Sequence, residues 1–253
     1  MSGTGCCINQ AKKSKPYFFK MIFNFKHALI WVVVLGVSGS YKTFAADDEP
    51  KKNNFSIDAT GRFASKQFGG GLSAWGHHGF GKSRKFSIGL GLRLSTNIGT
   101  DMEYTTAPAK FTSDEKNVDT LILKNSSITS INLALDFRYR IIDKLSVGFN
   151  IDAIGFSFGG EENGGIISEG DVFFPKAKPT SLNALLVGDN DIGTLNSELY
   201  ILYHVGSNFS IKAGVSYLFT EYTTDKKYID GIDNDRYRNK SMGGLIGIQY
   251  RFP

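Results

Sequence analysis

Cysteine is almost missing from this chain of 253 residues. The two present, Cys6 and Cys7, lie at its head with no apolar run before them, so they do not form a lipoprotein acylation site. Past them there is no thiol, which excludes disulfides, thiolate metal sites and cysteine nucleophiles from the rest of the chain. Proline is scarce, at 6 residues. Long apolar runs are missing too. The one run, residues 28–37, is about half the roughly 20 residues of a spanning helix, which excludes a helical membrane protein. Beyond residue 46 no long stretch keeps the 3.6-residue apolar period of an amphipathic helix.

The positive charge is unevenly held. Residues 1–45 contain six lysines and no acid, and without them the 29 basic residues fall just below the 24 acidic ones. The net charge of +5 therefore belongs to the head and gives no ground for nucleic-acid binding. Lys12, Lys13, Lys15, Lys20 and Lys26 precede the apolar run, and the small residues Ala45 and Ala46 follow it. This is the layout of a secretory signal peptide over residues 1–45. Met21 would open a leader of more ordinary length, so residues 1–20 read as a start placed too early. An uncleaved N-terminal anchor is the alternative. Residues 46–54, charged and proline-containing, read as a disordered entry, and residues 55–253 as one domain.

What the domain does have is glycine, aromatics and alternation. Phe55, Ile57, Ala59 and Phe63 alternate with Ser56, Asp58, Thr60 and Arg62. Residues 68–80 make a Gly-rich second segment. Phe86 to Leu94 alternates with Ser87, Gly89, Gly91 and Arg93. Ile131 to Tyr139 alternates with Asn132, Ala134, Asp136 and Arg138. Leu145 to Ile151 alternates with Ser146, Gly148, Asn150 and Asp152, and the phase slips near Ala153, where a β-bulge is expected. Leu199 to Val205, Phe209 to Phe219 and Met242 to Phe252 complete eight strands by the period-2 rule. Connections after the second, fourth and sixth strands are short. Those after the third, fifth and seventh are long, about 28, 33 and 17 residues on the lengths of strand expected here. The short first connection, near Ser65, breaks this rule.

This asymmetry predicts an all-β fold: an eight-stranded antiparallel up-and-down transmembrane β-barrel with short periplasmic turns and long extracellular loops. Phe55, Phe80, Phe86, Tyr139, Tyr203, Phe209, Tyr250 and Phe252 would form one aromatic girdle. Phe63, Phe68, Tyr217 and Phe219 would form the other. A soluble barrel with the faces reversed is the alternative, since alternation does not say which face is wet. Two further apolar snatches, residues 120–123 and 182–187, are too short to span and read as hairpin extensions or loop packing above the membrane. A ten-stranded barrel is the alternative there.

Four stretches carry a resemblance: residues 85–93 (KFSIGLGLR), 145–152 (LSVGFNID), 211–217 (IKAGVSY) and the ending Tyr250-Arg-Phe252. On these the domain resembles the small bacterial outer-membrane β-barrel superfamily, which holds the OmpA-like transmembrane domain and the OmpW-like barrels, and within it barrels of Bacteroidetes type. The resemblance implies localisation in the outer membrane of a Gram-negative bacterium, with outer-membrane lipid and lipopolysaccharide as surroundings. It also implies a terminal aromatic, Tyr250 and Phe252 here, as the signal for the barrel-assembly machinery. The family usually ends on the aromatic itself, whereas Pro253 follows here.

Eight strands enclose a space that side chains can fill. The inward charges are Asp58, Arg62, Arg93, Asp136, Arg138, Asp152, Glu198, Lys212 and Arg251. They are expected to form an ion-paired network and leave no wide pore, because unpaired buried charge is costly. A narrow porin-like channel for small or apolar solutes, lined by Tyr200, Leu202 and Leu218, is the alternative. A lipid-modifying enzyme is a third reading. It lacks support: His77, His78 and His204 all fall toward the periplasmic end, and no Gly-x-Ser-x-Gly elbow is present. No catalytic residue, metal ligand or cofactor is implied. The acidic clusters 189–191 and 230–235 fit turn chemistry or calcium. Residues 225–228 and 236–238 mix charge with aromatics and suit a solvated loop or a surface ligand. The expected role is structural or adhesive, through the extracellular loops.

Overall fold

The computed structural model describes residues 51–112, 118–168, 171–186, 190–225 and 234–253, all within the unit Ala45–Pro253. The expected signal peptide and residues 46–50 of the expected entry lie outside the described residues. The elements are β1 (Asn53–Ala64), β2 (Gln67–Phe80), β3 (Phe86–Thr106), α1 (Ala109–Thr112), β4 (Thr120–Ile142), β5 (Leu145–Phe158), β6 (Glu162–Ser168), β7 (Asp171–Phe173), β8 (Lys176–Pro179), β9 (Leu182–Ala184), β10 (Leu195–His204), β11 (Phe209–Thr224) and β12 (Arg236–Arg251). The class is all-β and antiparallel, as expected.

Eight strands pair in a closed circuit: β1–β2–β3–β4–β5–β10–β11–β12 and back to β1. Closure leaves the circuit without a free sheet edge. Alternation sets its two faces. Ser56, Asp58 and Arg62 of β1 are buried inside, whereas Phe55 (66% exposed), Ile57 and Phe63 face out. In β3, Leu90, Leu92 and Leu94 face out, and Arg93 is buried. The outward residues form an apolar belt rimmed by aromatics. At one rim Phe80 meets Phe86, Phe209 meets Tyr250, and Tyr250 meets Phe252. At the other, Phe63 stacks on Phe68 and Tyr217 meets Phe219. The bulge in β5 falls at Ala153, which the register skips: Leu133 pairs Ile154 and Ala134 pairs Asp152.

The strand count is corrected. Among the described residues there are twelve strands, because the stretches expected to be long loops hold structure. β3 and β4 extend far past Leu94 and Ile131, so residues 120–123 are the start of β4. Residues 182–184 are β9, which pairs with β5 above β10. The expected entry ends sooner than Asn54: β1 starts at Asn53, and the Lys52 carbonyl accepts from the Gly79 amide.

The extensions close a second circuit, of six strands: β3–β4–β6–β8–β11–β12 and back to β3 through Tyr237–Thr106 and Arg238–Thr105. It stands over the short β1–β2 hairpin, which is why that connection is tight. Its interior is apolar. Met102 and Tyr104 of β3, Leu121, Leu123 and Ile128 of β4, Ile166 of β6, Ala177 of β8, Tyr222 of β11 and Tyr237 of β12 make one buried core. Tyr104 and Tyr222 meet edge to face, with ring centres 5.2 Å apart. β3 and β4 turn over together to serve it. Thr100 and Asp101 both face out, as do Lys124 and Asn125, so the inward parity flips on both strands. Asp101 takes a left-handed backbone (φ 49°) at this point. Below it Leu90, Leu92, Leu94, Ile131 and Leu133 face out, and beyond it Met102, Tyr104, Leu121 and Leu123 face in.

Candidate functional site

The candidate site is the interior of the eight-strand circuit. Glu198 on β10 is its centre. It accepts from Lys212 Nζ on β11 at 2.7 Å, from Asn150 Nδ2 on β5 at 2.9 Å and from Asn196 Nδ2 at 2.9 Å. Arg93 of β3 and Arg62 of β1 approach it at 3.5 and 3.8 Å. Asp152 holds Arg93 Nη1 at 2.8 Å and accepts from Asn132 Nδ2 and from the Asn196 amide. Asp58 accepts from Trp75 Nε1 at 3.0 Å and lies 3.4 Å from Lys212 Nζ. The ammonium of Lys212 sits over the Tyr200 ring, and the Arg93 guanidinium over Trp75. These side chains reach across the barrel: β1, β3 and β11 all deliver a cation to one carboxylate of β10.

A second cluster lies nearer the end where β1 begins. Asp136 accepts from Arg138 Nε and the Tyr200 hydroxyl, both at 2.6 Å, and its Oδ2 lies 2.8 Å from His77 Nε2. Arg138 also donates to Tyr200 and to Gln249 Oε1. Tyr200 joins the two clusters. Across them four carboxylates (Asp58, Asp136, Asp152 and Glu198) face four cations (Arg62, Arg93, Arg138 and Lys212), so the interior is balanced without His77.

Eight of the nine expected network residues are thus brought together. Arg251 is not one of them: it lies at the barrel end, where its guanidinium donates to the Ser207 carbonyl of the β10–β11 turn. The parity of β12 does turn it inward, but as the last residue of the strand it reaches the rim and not the middle. Tyr250 and Phe252 lie in the girdle, packed on each other.

Three members lay outside the expected ion-pair network, although Tyr200 was expected to line the lumen in the channel reading. Trp75, His77 and Tyr200 are among the interior's buried side chains. Each lies over a glycine directly opposite on the neighbouring strand: Trp75 over Gly91, His77 over Gly89 and Tyr200 over Gly148. A Cβ at any of these glycines would overlap the ring. The available signal was a large polar-tipped ring paired with glycine in an inward phase, but it needs the strand register. Leu202, expected to line an apolar channel with Tyr200, packs with it and Leu245 as a small core, and Leu218 is buried as well.

The loop expectations also change. Arg236 to Arg238 open β12. Tyr237 is buried in the upper core, and Arg236 and Arg238 both pair with the buried Glu221 of β11 and donate to the Asp191 carbonyl. Asp191 Oδ1 accepts from the Leu186 amide and Asn234 Oδ1 from the Arg236 amide, which is turn chemistry. Residues 189, 226–228 and 230–233 lie outside the described residues. His204 is held between Ser146 Oγ at 2.9 Å and Ser210 Oγ at 2.7 Å.

No protein-family model matches the sequence, and no curated protein is similar to it. Among solved structures, small outer-membrane β-barrels are similar to this chain. Neisserial surface protein A aligns at TM-score 0.38 and 12% identity, over 80% of this chain and 98% of its own. A major outer membrane protein of Thermus thermophilus aligns at 0.38 and 15%, over 80% and 100%. The attachment invasion locus protein Ail of Yersinia pestis aligns at 0.34 and 14%, over 79% and 97%.

Proposed function

We propose that this chain is an integral outer-membrane barrel with a closed interior, which serves a structural or binding role through its outer surface. One observation carries the proposal: a belt of exposed apolar side chains encircles a closed sheet whose interior is charged. Soluble monomers rarely expose more than a few hundred Å² of continuous apolar surface. Lipid covers such a belt, and a closed sheet leaves no backbone edge unpaired in hydrocarbon. The two aromatic rims fit the two bilayer interfaces. The end with the short turns is then periplasmic, and the six-strand circuit stands outside.

The proposed partners follow from that placement. Membrane lipid meets the belt. Lipopolysaccharide meets the outer girdle, where Lys240 lies against the Phe219 ring. The barrel-assembly machinery reads Tyr250 and Phe252, and a surface ligand docks on the outer circuit. The interior argues against a channel. Ion pairs cross the lumen between strands that are not neighbours, and the apolar upper core stands above them. Among the described residues His77, His78 and His204 all lie toward the end with the short turns, away from the outer rim, so the role proposed is binding and not catalysis.

The test is gel mobility of membrane-extracted protein, boiled against unboiled, followed by conductance in planar bilayers. A shift on boiling with no steady openings is expected. Recovery in the soluble periplasmic fraction without a shift overturns the membrane reading, and stable openings overturn the closed interior.

A further inference from the structure

At the barrel end where β1 begins and β12 finishes, the interior opens into a cavity of about 60 Å³. Lys51, Arg84, Lys85, Arg138, Arg140 and Arg251 line it, and no carboxylate is among its lining residues. This is the reverse of the middle of the barrel, where acids and bases balance. Asp136, which Arg138 contacts below the mouth, is already committed to Arg138, His77 and Tyr200. Two donors at the cavity have no partner within the protein. Gln249 is buried, with only 3% of it exposed; its Oε1 accepts from Arg138, and its Nε2 has no partner. Arg138 Nη2 is likewise buried and unpartnered. Leaving a buried donor unpaired costs about 1–3 kcal/mol, and more when it is charged. His204, pinned by Ser146 and Ser210, forms part of the wall.

We infer that this mouth is a binding site for a phosphate group. The space suits it. A water needs roughly 10–15 Å³, so the cavity holds about four waters or one tetrahedral oxyanion. The donors suit it as well. They converge from β4, β12, the β2–β3 turn and the segment before β1, on different sides of the mouth. A planar carboxylate accepts in one plane, whereas a tetrahedral dianion accepts from several directions at once, starting with the unpartnered Gln249 Nε2 and Arg138 Nη2. Guanidinium groups are the side chains best matched to phosphate oxygens, and three arginines beyond Arg138 line the site. The phosphate is either free in solution or the headgroup of a phospholipid at the neighbouring girdle. The site is defined by the barrel end itself and so goes beyond the membrane reading.

Full-length protein in phosphate-free maltoside micelles, titrated with sodium phosphate against sodium chloride of equal ionic strength in a calorimeter, provides the test. Native mass spectrometry of the same sample reads any retained phospholipid. Two variants accompany it. Gln249→Glu places a carboxylate among the cations in nearly the same shape, and Arg140→Gln with Arg251→Gln removes two rim charges. Wild type is expected to bind phosphate saturably or to retain a phospholipid. Gln249→Glu is expected to weaken binding by roughly tenfold or more while keeping the boiled and unboiled gel mobilities, because one charge-assisted bond is worth about that factor. Free phosphate bound by a lipid-free sample names the soluble anion as the source. Retained phospholipid that Gln249→Glu loses names the headgroup. Neither saturable phosphate binding nor retained lipid in wild type, or the same affinity in wild type and both variants, overturns the inference. A soluble, unshifted protein that still binds phosphate would sink the membrane reading and leave this one standing.

Discussion

Glu198 shows how single residues hold this interior. Three cations converge on it, and each was drawn out of water by strand parity, not by its own preference. Removing one partner of a buried pair costs about 3–5 kcal/mol, since the charge left behind stays buried. Glu198→Gln is therefore expected to lose about that much folding stability, read from the urea midpoint of the barrel in vesicles. Glu161 gives the contrast. It is held below the usual carboxylate range by hydrogen bonds from the Lys176 and Lys178 ammonium groups, but the pair lies in open solvent, and Glu161→Gln is expected to leave the midpoint unmoved. The glycines act at the same scale. Gly91 leaves room for the Trp75 ring, so Gly91→Leu is expected to destabilise by about 1–3 kcal/mol through overpacking. Adding Trp75→Ala is expected to recover part of that loss, measured as a double-mutant cycle on the same midpoint. Additive losses would mean that ring and glycine do not share the space.

At the scale of elements, the β3–β4 hairpin carries two opposite inward phases. Its lower part places leucines outward, and its upper part places Met102, Tyr104, Leu121 and Leu123 inward, with the change at Thr100–Asp101 and Lys124–Asn125. Above that point Thr100, Asp101, Glu103 and Lys124 face out, and below it Leu90, Leu92, Leu94 and Leu133 do. Burial pushes the Tyr104 and Tyr222 phenols up from the ordinary value of 10.0, for Tyr222 with a further push from Tyr104. A raised value favours the neutral phenol in the folded state. Its contribution is complete below pH 10 and is lost as pH climbs through the folded-state value. Absorbance titration at the tyrosinate band is thus expected to show buried phenols resisting ionisation above pH 10, with one fewer in Tyr222→Phe. Normal titration of both would mean that the upper core is open to water.

For the whole molecule, the two circuits share β3, β4, β11 and β12 but not their interiors. One is filled with paired charges and the other is apolar. Because β1, β2, β5 and β10 close the lower circuit without the upper one, the two should separate in stability. Leu121→Asp with Leu123→Asn is expected to remove amide-exchange protection from β6 and β8 while the gel shift on boiling persists. Loss of the shift together with that protection would show that the circuits fold as one unit.

The sequence by itself determined the lower circuit. Period-2 alternation in Phe86–Leu94, Ile131–Tyr139 and Phe209–Tyr217 is a local property, and so is the short turn at residues 141–144. The slip at Ala153 was also visible, because an extra residue shifts a local phase. The parity of Asp58, Arg93, Asp136, Asp152 and Glu198 was equally local. What only the tertiary structure decided is which of these meet. Arg93 on β3 reaches past β4 to Asp152 on β5, at a separation of 59 residues, and to Glu198 on β10 from further still. Arg251 stops at the rim although its parity matches. β6 to β9 were illegible because short strands owe their form to partners, not to pattern. The upper core was illegible because the inward phase inverts at Thr100–Asp101 and Lys124–Asn125, and a chain carries no mark of which parity faces in until its strands are closed into a ring.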